Sequence, residues 1–581
     1  MGEIYIEHSA VPADPHWRWW RELSRYHWFV LVVAALGWVF DCLDQQLFNL
    51  ARMPAMKDLL RDAATGTVDA KLINYWAPMT TAVFLVGWAT GGIIFGILGD
   101  RIGRVRTMVI TILAYSACTG LSALSTSVYT FSFYRFLTGL GVGGEFAVGV
   151  ALVAESMPDR ARPYALGLLQ ALSTIGNVSA AGIGMVLGRM EQSQMLEGLS
   201  LFGQELTAWR TMFLVGTLPA LLAVLVQIRL KEPDRWRSAV KSGAGPKPGS
   251  VRELFGDPRW RRRAIVGMLM ATAGVVGLWG IGFFSFDLNS SVFKKYYEQQ
   301  ARDQTDAVAE DRRFLREIVA DPASLDGIKD QITSNTLISP TSEHRDAQVI
   351  FEAMQELHGT HQVITEDSIL ASLDQKTEKR AAQSASDRAR RAEYLSGAVE
   401  KPVATAAEVA RIHDRAGKIS GSLVFWSGVT SLTFNLGAFF GIVAFSRLCQ
   451  RIGRVKMFAL SFFLAMISTA LVVMFIQRPT DVFWMTPIMG FCQLSLFGGY
   501  AIYFPELFPT RLRSTGISFC YNCGRYLAAG GTLVLGYLAS VVFAGTSEPL
   551  RWSSLAMCSI FVIGLLALPF APETRGEPLP E

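Results

Sequence analysis

The chain has 581 residues, 51% of them hydrophobic and only 18% charged. Soluble domains carry about 25% charged residues, so a protein soluble throughout is excluded. The net charge of +5 is modest and the seven cysteines lie in or beside apolar runs, which argues against a nucleic-acid partner, a disulfide framework and a zinc site.

An apolar helix of about 20 residues crosses the hydrocarbon of a bilayer. Spans are predicted at 26–50, 73–98, 107–127, 129–155, 163–188, 208–229, 263–290, 419–446, 457–476, 480–504, 514–540 and 551–571. Residues 1–25 precede them as a polar segment. Trp17, Trp19 and Trp20 alternate there with Arg18 and Arg21, a composition suited to the headgroup level. The first apolar run is too long for the core of a signal peptide, so none is expected. Residues 231–262 form a basic linker, and 294–417 form a hydrophilic insert after span seven (263–293). Apolar residues at three- and four-residue spacing predict helices in the insert, for example at 307–320 and 347–357. His358 and His361 lie there too, with Gly359 and Thr360 between them; solvated histidines account for them and no metal is expected.

Lysine and arginine placement sets orientation, because short cytoplasmic loops carry the positive excess. Arg101, Arg104 and Arg106 follow span two, Arg160 and Arg162 follow span four, Arg451, Arg454 and Lys456 follow span eight, and Arg511 and Arg513 follow span ten. Both termini are therefore expected in the cytoplasm of a cell with its multi-pass protein in the inner (plasma) membrane. The insert is expected outside. It holds 17 basic and 22 acidic residues against 54 and 49 in the whole chain, so an acidic outer insert accompanies a basic membrane part.

The chain repeats itself at an offset near 350 residues. Arg101, Gly103, Arg104 and Arg106 recur as Arg451, Gly453, Arg454 and Lys456. Glu155, Pro158, Arg160 and Arg162 recur as Glu506, Pro509, Arg511 and Arg513. A fainter echo links Glu232 and Pro233, after span six, to Pro572 and Glu573, after span twelve. The prediction is an all-α membrane protein of twelve helices in two pseudo-symmetric six-helix halves, 26–230 and 263–571 with the insert removed, ending in a tail at 572–581. Such halves place a substrate site between them near the midplane.

The segment from Gly99 and Asp100 to Arg106 resembles the signature of the major facilitator superfamily. So do the run from Arg135 through Gly139, Gly141, Gly143 and Gly144 to Glu145, the Glu155 to Arg162 segment, and Pro572 to Gly576. The resemblance implies a cytoplasmic gate of ion pairs made from Asp100, Arg101, Arg104, Glu155 and Arg160 in the first half and Arg451, Arg454, Glu506 and Arg511 in the second. Gln450 stands where the first half has Asp100. Within the superfamily the likeness divides. Asp41 and Asp44 resemble a motif of aromatic acid:H+ symporters, with Cys42 in place of its glycine. Pro572 to Gly576 is shared with sugar porters, but their span-seven motif is absent. Gln170 is one residue that a sugar porter would use.

Ionisable groups inside a membrane are candidates for function by default. Asp41 and Asp44 are three apart, hence on one helix face. Two buried carboxylates so close resist charging together, which suits proton coupling. An ion pair with an arginine is the alternative. Glu145 is a third candidate for the proton. Arg135 stands ten residues from Glu145, about 15 Å along a helix, too far to pair with it. Arg525 suits bidentate capture of a substrate carboxylate, or else pairs with an acid such as Glu145. Trp279 and Phe283 of span seven, with Phe284 and Phe286, suit an aromatic cavity wall. Asn435, Tyr521 and Asn522 suit hydrogen bonds to substrate. The glycine run of span four suits close helix packing.

The function expected is secondary active transport: proton-coupled symport of a small organic acid or related metabolite by alternating access. The partners are a small molecule, protons and the bilayer, and a protein partner of the insert is left open. No cofactor, metal or enzymatic site is expected. A sugar carrier, a proton-driven exporter and a non-transporting sensor that uses the insert are the alternatives.

Overall fold

The computed structural model describes residues 18–61; 70–282 apart from 194, 197, 202, 222–225, 227, 228 and 242–246; 288–297 apart from 290, 291 and 295; six positions between 353 and 372; and 406–580 apart from 547. Of the helices predicted within the insert, 307–320 lies outside these residues and 347–357 is described at Ala353 and Leu357 alone, both helical; His358, His361, Phe283, Phe284 and Phe286 also lie outside them. The chain divides into two compact units. The first holds Met1–Leu288, Thr430–Ile476 and Asp481–Glu581, and the second holds Asn289–Val429 with Gln477–Thr480. In the second, the Trp426 indole donates to the Tyr297 hydroxyl at 2.6 Å.

In chain order the first unit opens with α1 (Arg25–Leu59), α2 (Ala70–Ile102), α3 (Arg104–Ala123), α4 (Val128–Ser156), α5 (Arg162–Gln192) and α6 (Ala208–Val215). Ser24 starts α1 with a capping box: its hydroxyl accepts from the His27 amide and the His27 ring accepts from the Ser24 amide. Ser127 and Thr130 do the same for α4. Between α5 and α6 the expected all-helical pattern is broken by two two-residue strands, β1 (Ser200–Leu201) and β2 (Gln204–Glu205), paired antiparallel. The linker holds α7 (Asp234–Lys241) and α8 (Val251–Gly256). Then follow α9 (Pro258–Gly277), α10 (Ala406–Ile452), α11 (Arg454–Phe475), α12 (Val482–Leu507), α13 (Arg513–Tyr537), α14 (Pro549–Met557) and α15 (Ile560–Ala567).

Among the described residues ten helices are long and apolar enough to cross a membrane. The predicted span 208–229 appears as α6, and its continuation is only partly described. The 25-residue α13 is not among the ten; it carries Arg513, Asn522 and Arg525. A π-helical turn, Leu278–Gly282, follows α9 and includes Trp279.

Small residues set the packing. A β-carbon at Gly91 of α2 would strike the Leu140 carbonyl of α4, and one at Gly143 of α4 would strike the Trp88 carbonyl of α2. The two backbones therefore touch, as helices in a bilayer do where no water drives their association. The second repeat copies the device: Gly437 of α10 meets the Pro487 carbonyl of α12, and Gly490 of α12 meets the Phe434 carbonyl of α10. The turns from α2 to α3 and from α10 to α11 match as well. Gly103 and Gly453 take φ of 113° and 95°, a region that side chains disfavour.

A third repeated device is not legible in the motifs. Arg210 of α6 donates to the Ala123 and Ser125 carbonyls at 2.7 and 3.0 Å, closing the end of α3. Arg551 of α14 donates to the Val473 and Met474 carbonyls at 2.6 and 2.7 Å, closing α11. Each guanidinium satisfies carbonyls left free at a helix end and opposes their negative dipole.

Gly143→Val is expected to destabilise the protein by about 1–3 kcal/mol, the usual cost of forcing atoms into a packed interface. Gly545→Val, where open space receives the side chain, is expected to leave stability unchanged. Thermal unfolding in detergent compares the two.

Candidate functional site

Among the described residues of the first unit, two buried polar regions and a cavity stand out. The first region lies where α2 meets α3, α4 meets α5, and α12 meets α13. Arg104 sits at its centre, fully buried. Its guanidinium pairs with Asp100 at 2.9 Å and with Glu155 at 2.8 Å, and donates to the Gly99 and Thr510 carbonyls. Glu155 also takes Arg513 of the other repeat at 2.9 Å. Asp100 accepts from the Ser514 and Thr515 amides and from the Thr515 hydroxyl, at 3.2, 2.9 and 2.6 Å. A carboxylate from the first repeat thus caps the positive N-terminus of a helix in the second.

The second repeat makes the same internal contacts. Arg454 pairs with Glu506 at 2.8 Å. Glu573 accepts from the Arg454 and Val455 amides, as Glu232 accepts from the Arg104 and Val105 amides. The faint echo of Glu232 and Glu573 in the sequence is therefore a pair of caps that reach α11 and α3 from far along the chain. The Asp100 cap on α13 has no twin among the described residues. Gln450 replaces Asp100, and the position matching Ser514 is Pro163, which has no amide hydrogen to offer.

Four expected gate residues stand elsewhere. Arg101 and Arg451 are exposed and form no ion pair among the described residues. Arg160 is exposed. Arg511 pairs with Glu253 of α8, at 2.8 Å, and so ties the linker to α13. Arg513, whose spacing was visible in the repeat, takes the place expected for them because its helix starts directly beside Glu155.

The second region lies between α1, α3 and α4. Asp44 pairs with Arg135 at 3.7 Å and accepts from the Thr119 hydroxyl at 2.8 Å. The Arg135 guanidinium also donates to the Ser122 hydroxyl at 2.7 Å and lies over the Phe213 ring at 4.5 Å. Glu145 accepts from the Thr111 hydroxyl at 2.9 Å, and its other oxygen lies against Gly37, where no side chain intervenes. Asp41 is fully buried and neither of its oxygens accepts a hydrogen bond within the protein. Its neighbours are Glu145, Asp44, Arg525 and the Tyr115 hydroxyl, which faces it without closing a hydrogen bond. The two aspartates of one face are therefore unlike: Asp44 has a counter-ion and Asp41 has none.

The cavity is partly open, and the space within it and at its mouth together comes to about 590 Å³. Trp38, Trp88, Trp279, Phe434, Phe497 and Tyr521 give it aromatic walls, and Gln45, Gln46, Gln170, Asn177 and Asn435 give it amides. Arg525 lines it, stacked between Trp88 and Tyr521 with ring centroids 4.1 and 4.3 Å away. One of its nitrogens donates to Asn522 at 2.7 Å. Gln170, Trp279, Asn435, Tyr521 and Arg525 are thus brought together. Asn522 is not in the lining; it acts behind Arg525. Phe283 lies outside the described residues. Asn435 accepts from Asn177 of the other repeat at 2.9 Å. Trp38, Trp88 and Gln45 went unrecognised in the sequence, because aromatic and amide residues in apolar helices read first as packing.

A family model described as Major Facilitator Superfamily matches residues 28–299. A putative metabolite transport protein of Haemophilus influenzae is 32% identical over 213 residues, 37% of this chain and 46% of that protein. The cis,cis-muconate transport protein of Acinetobacter baylyi is 31% identical over 230 residues, 39% of this chain and 52% of that one. The benzoate transport protein of the same organism is 27% identical over 206 residues, 35% and 38% of the two chains. The chain thus spans about half the length of the curated relatives it matches. In fold it resembles the proton:xylose symporter XylE, with a TM-score of 0.53 at 15% identity, over 95% of this chain and 98% of that one.

Glu155→Gln leaves Arg104 and Arg513 buried beside a neutral group, and removing one member of a buried ion pair costs about 3–5 kcal/mol. Thermal unfolding in detergent is expected to show a loss of that order, against almost none for Arg101→Ala or Arg451→Ala.

Proposed function

The chain belongs to the major facilitator superfamily of membrane transporters, and we propose that it carries a small organic acid together with protons by alternating access. The observation that supports this reading is the state of Arg525. Its guanidinium is buried at the cavity wall, and among the described residues no carboxylate forms an ion pair with it. A buried charge without a counter-ion is costly, and a substrate carboxylate supplies one. The planar fork between Trp88 and Tyr521 suits bidentate capture, and the aromatic walls suit a flat or apolar acid body. Relatives named for muconate and benzoate transport are in keeping with that class.

Proton coupling rests on Asp41, Glu145 and Asp44. Asp41 lies near Arg525 as well as Glu145. An ionised Asp41 partly offsets the guanidinium; a proton on Asp41 removes that offset and leaves Arg525 to the substrate. Proton and acid then favour each other's binding, which is the thermodynamic requirement for symport. Gln170, Trp279, Asn435 and Tyr521 hold the rest of the substrate, and Asn522 orients Arg525.

In this reading twelve spans form two six-helix halves. The end bearing Arg104 and Arg454 faces the cytoplasm, as do both termini, and residues 294–417 lie outside. The network of Asp100, Arg104, Glu155 and Arg513, backed by Arg454, Glu506 and Arg511, closes the cytoplasmic side and breaks when the halves rock.

The test uses the full chain in liposomes with an internal pH dye and a panel of aromatic acids, small carboxylates, sugars and amino acids outside. One carboxylate class is expected to acidify the interior, and Asp41→Asn is expected to abolish that signal. Arg525→Lys keeps the charge but loses the fork; the apparent affinity for that acid is expected to fall by the worth of one charged hydrogen bond, about 1.5–3 kcal/mol. Sugar uptake without acidification, or carboxylate uptake indifferent to Arg525→Lys, overturns the reading.

A further inference from the structure

The polar residues of α3 fall at helical spacing. Thr111, Tyr115, Thr119 and Ser122 form one stripe, and Ser125 continues it past the helix end, about 21 Å in all. Every one of these is buried. Facing them are Asp41 and Asp44 of α1 and Arg135 and Glu145 of α4, with Arg210 of α6 over the end near Ser125. Cys118 lies beside Arg135, and Arg525 of α13 lies on the cavity side of Asp41. Arg210 in turn reaches Asp58, whose side chain is 39% exposed.

This stripe is under-satisfied. Both oxygens of Asp41, one of Glu145, and the hydroxyls of Tyr115 and Ser125 have no hydrogen-bond partner within the protein, and one oxygen of Asp44 and one nitrogen of Arg135 meet only each other, at 3.7 Å. So many buried polar atoms in one place are rare in a folded chain and are the usual mark of internal water. The second repeat is a control on fold alone. In the register that aligns Arg104 with Arg454 and Glu155 with Glu506, it keeps Ser461 for Thr111 and Thr469 for Thr119, but has Ala465 for Tyr115, Val472 for Ser122, an exposed Phe475 for Ser125, Thr486 for Arg135 and Leu496 for Glu145. The helices pack there without the tyrosine, the two serines or the charges, so packing does not require those groups here.

We propose that a file of water runs inside the first repeat along α3, from Ser125 beneath Arg210 and Asp58 to Asp41 and Glu145, and that a proton reaches those carboxylates by it without entering the cavity lined by Arg525. Each transfer moves a proton between neighbouring waters and ends on a carboxylate oxygen, with hydronium at the outer end as the source. Asp44 neutralises Arg135, so the guanidinium does not bar the passage. The use made of the file rests on the proton-coupled reading above; the file itself does not.

Radiolytic hydroxyl footprinting of the full chain tests the water directly. Tyr115 and Tyr500 are both fully buried, but the Tyr500 hydroxyl donates to the Met270 carbonyl while Tyr115 has no partner. Tyr115 is expected to be modified readily and Tyr500 hardly at all; equal protection of the two overturns the file. Ser125→Phe, which copies the second repeat, is expected to bring Tyr115 down to the level of Tyr500. In liposomes it is expected to slow substrate-driven acidification by roughly tenfold, a barrier of about 1.4 kcal/mol, while exchange of substrate at equal pH persists. Unchanged acidification in Ser125→Phe overturns the route. If no substrate acidifies liposomes bearing the native chain, the symport reading fails, and the footprint of Tyr115 still decides for or against the water.

Discussion

Glu155 holds two guanidinium groups at once, Arg104 of its own repeat and Arg513 of the other, in a place that excludes water. Such charges are tolerable only in each other's company, so their partners fix where α2, α4, α12 and α13 can lie. Asp100 adds the second tie, a carboxylate on the amide end of α13. The structure is therefore closed at this end by contacts that cannot be stretched gradually. They are made or they are broken, which gives a two-state element rather than a compliant one.

The two repeats share this frame but divide the chemistry. Both have the capped turn, the internal Arg–Glu pair and the arginine that closes a helix end. The carboxylate cap across the interface is made from one side, because Gln450 removes the carboxylate of its counterpart and Pro163 one of the two amides. The interior charges are divided as well. The buried acids Asp41, Asp44 and Glu145 belong to the first repeat, and the buried cation at the cavity, Arg525, belongs to the second.

Within the first repeat the acids differ in kind. Asp44 has Arg135 and Thr119 for company, and its charge is compensated. Asp41 has Arg525 and Tyr115 near it but no hydrogen bond or ion pair among the described residues, although it sits one turn away on the same face. Glu145 has one hydroxyl and the bare backbone at Gly37. Equal residues in one motif thus have unequal electrostatic situations, and the difference comes entirely from which neighbouring helix supplies a cation.

Much was legible in the sequence. Apolar runs marked the spans, because hydrocarbon admits only helices whose backbone bonds close on themselves. The recurrence of Arg101 to Arg106 and of Glu155 to Arg162 disclosed the repeat, and intramembrane charge disclosed Asp41, Asp44, Glu145 and Arg525. The partners were not legible. Arg513 rather than Arg101 meets Glu155, Glu253 meets Arg511, Asn522 stands behind Arg525 rather than in the cavity, and Trp38 and Trp88 line a wall. Composition and local period act along one helix, so the sequence by itself determined which residues must be buried and on which helix. Pairing depends on the approach of helices far apart in the chain, set by close contacts such as Gly91 on Leu140 and Gly143 on Trp88. Only the tertiary structure decided which buried charge is answered by another and which, among the described residues, is not.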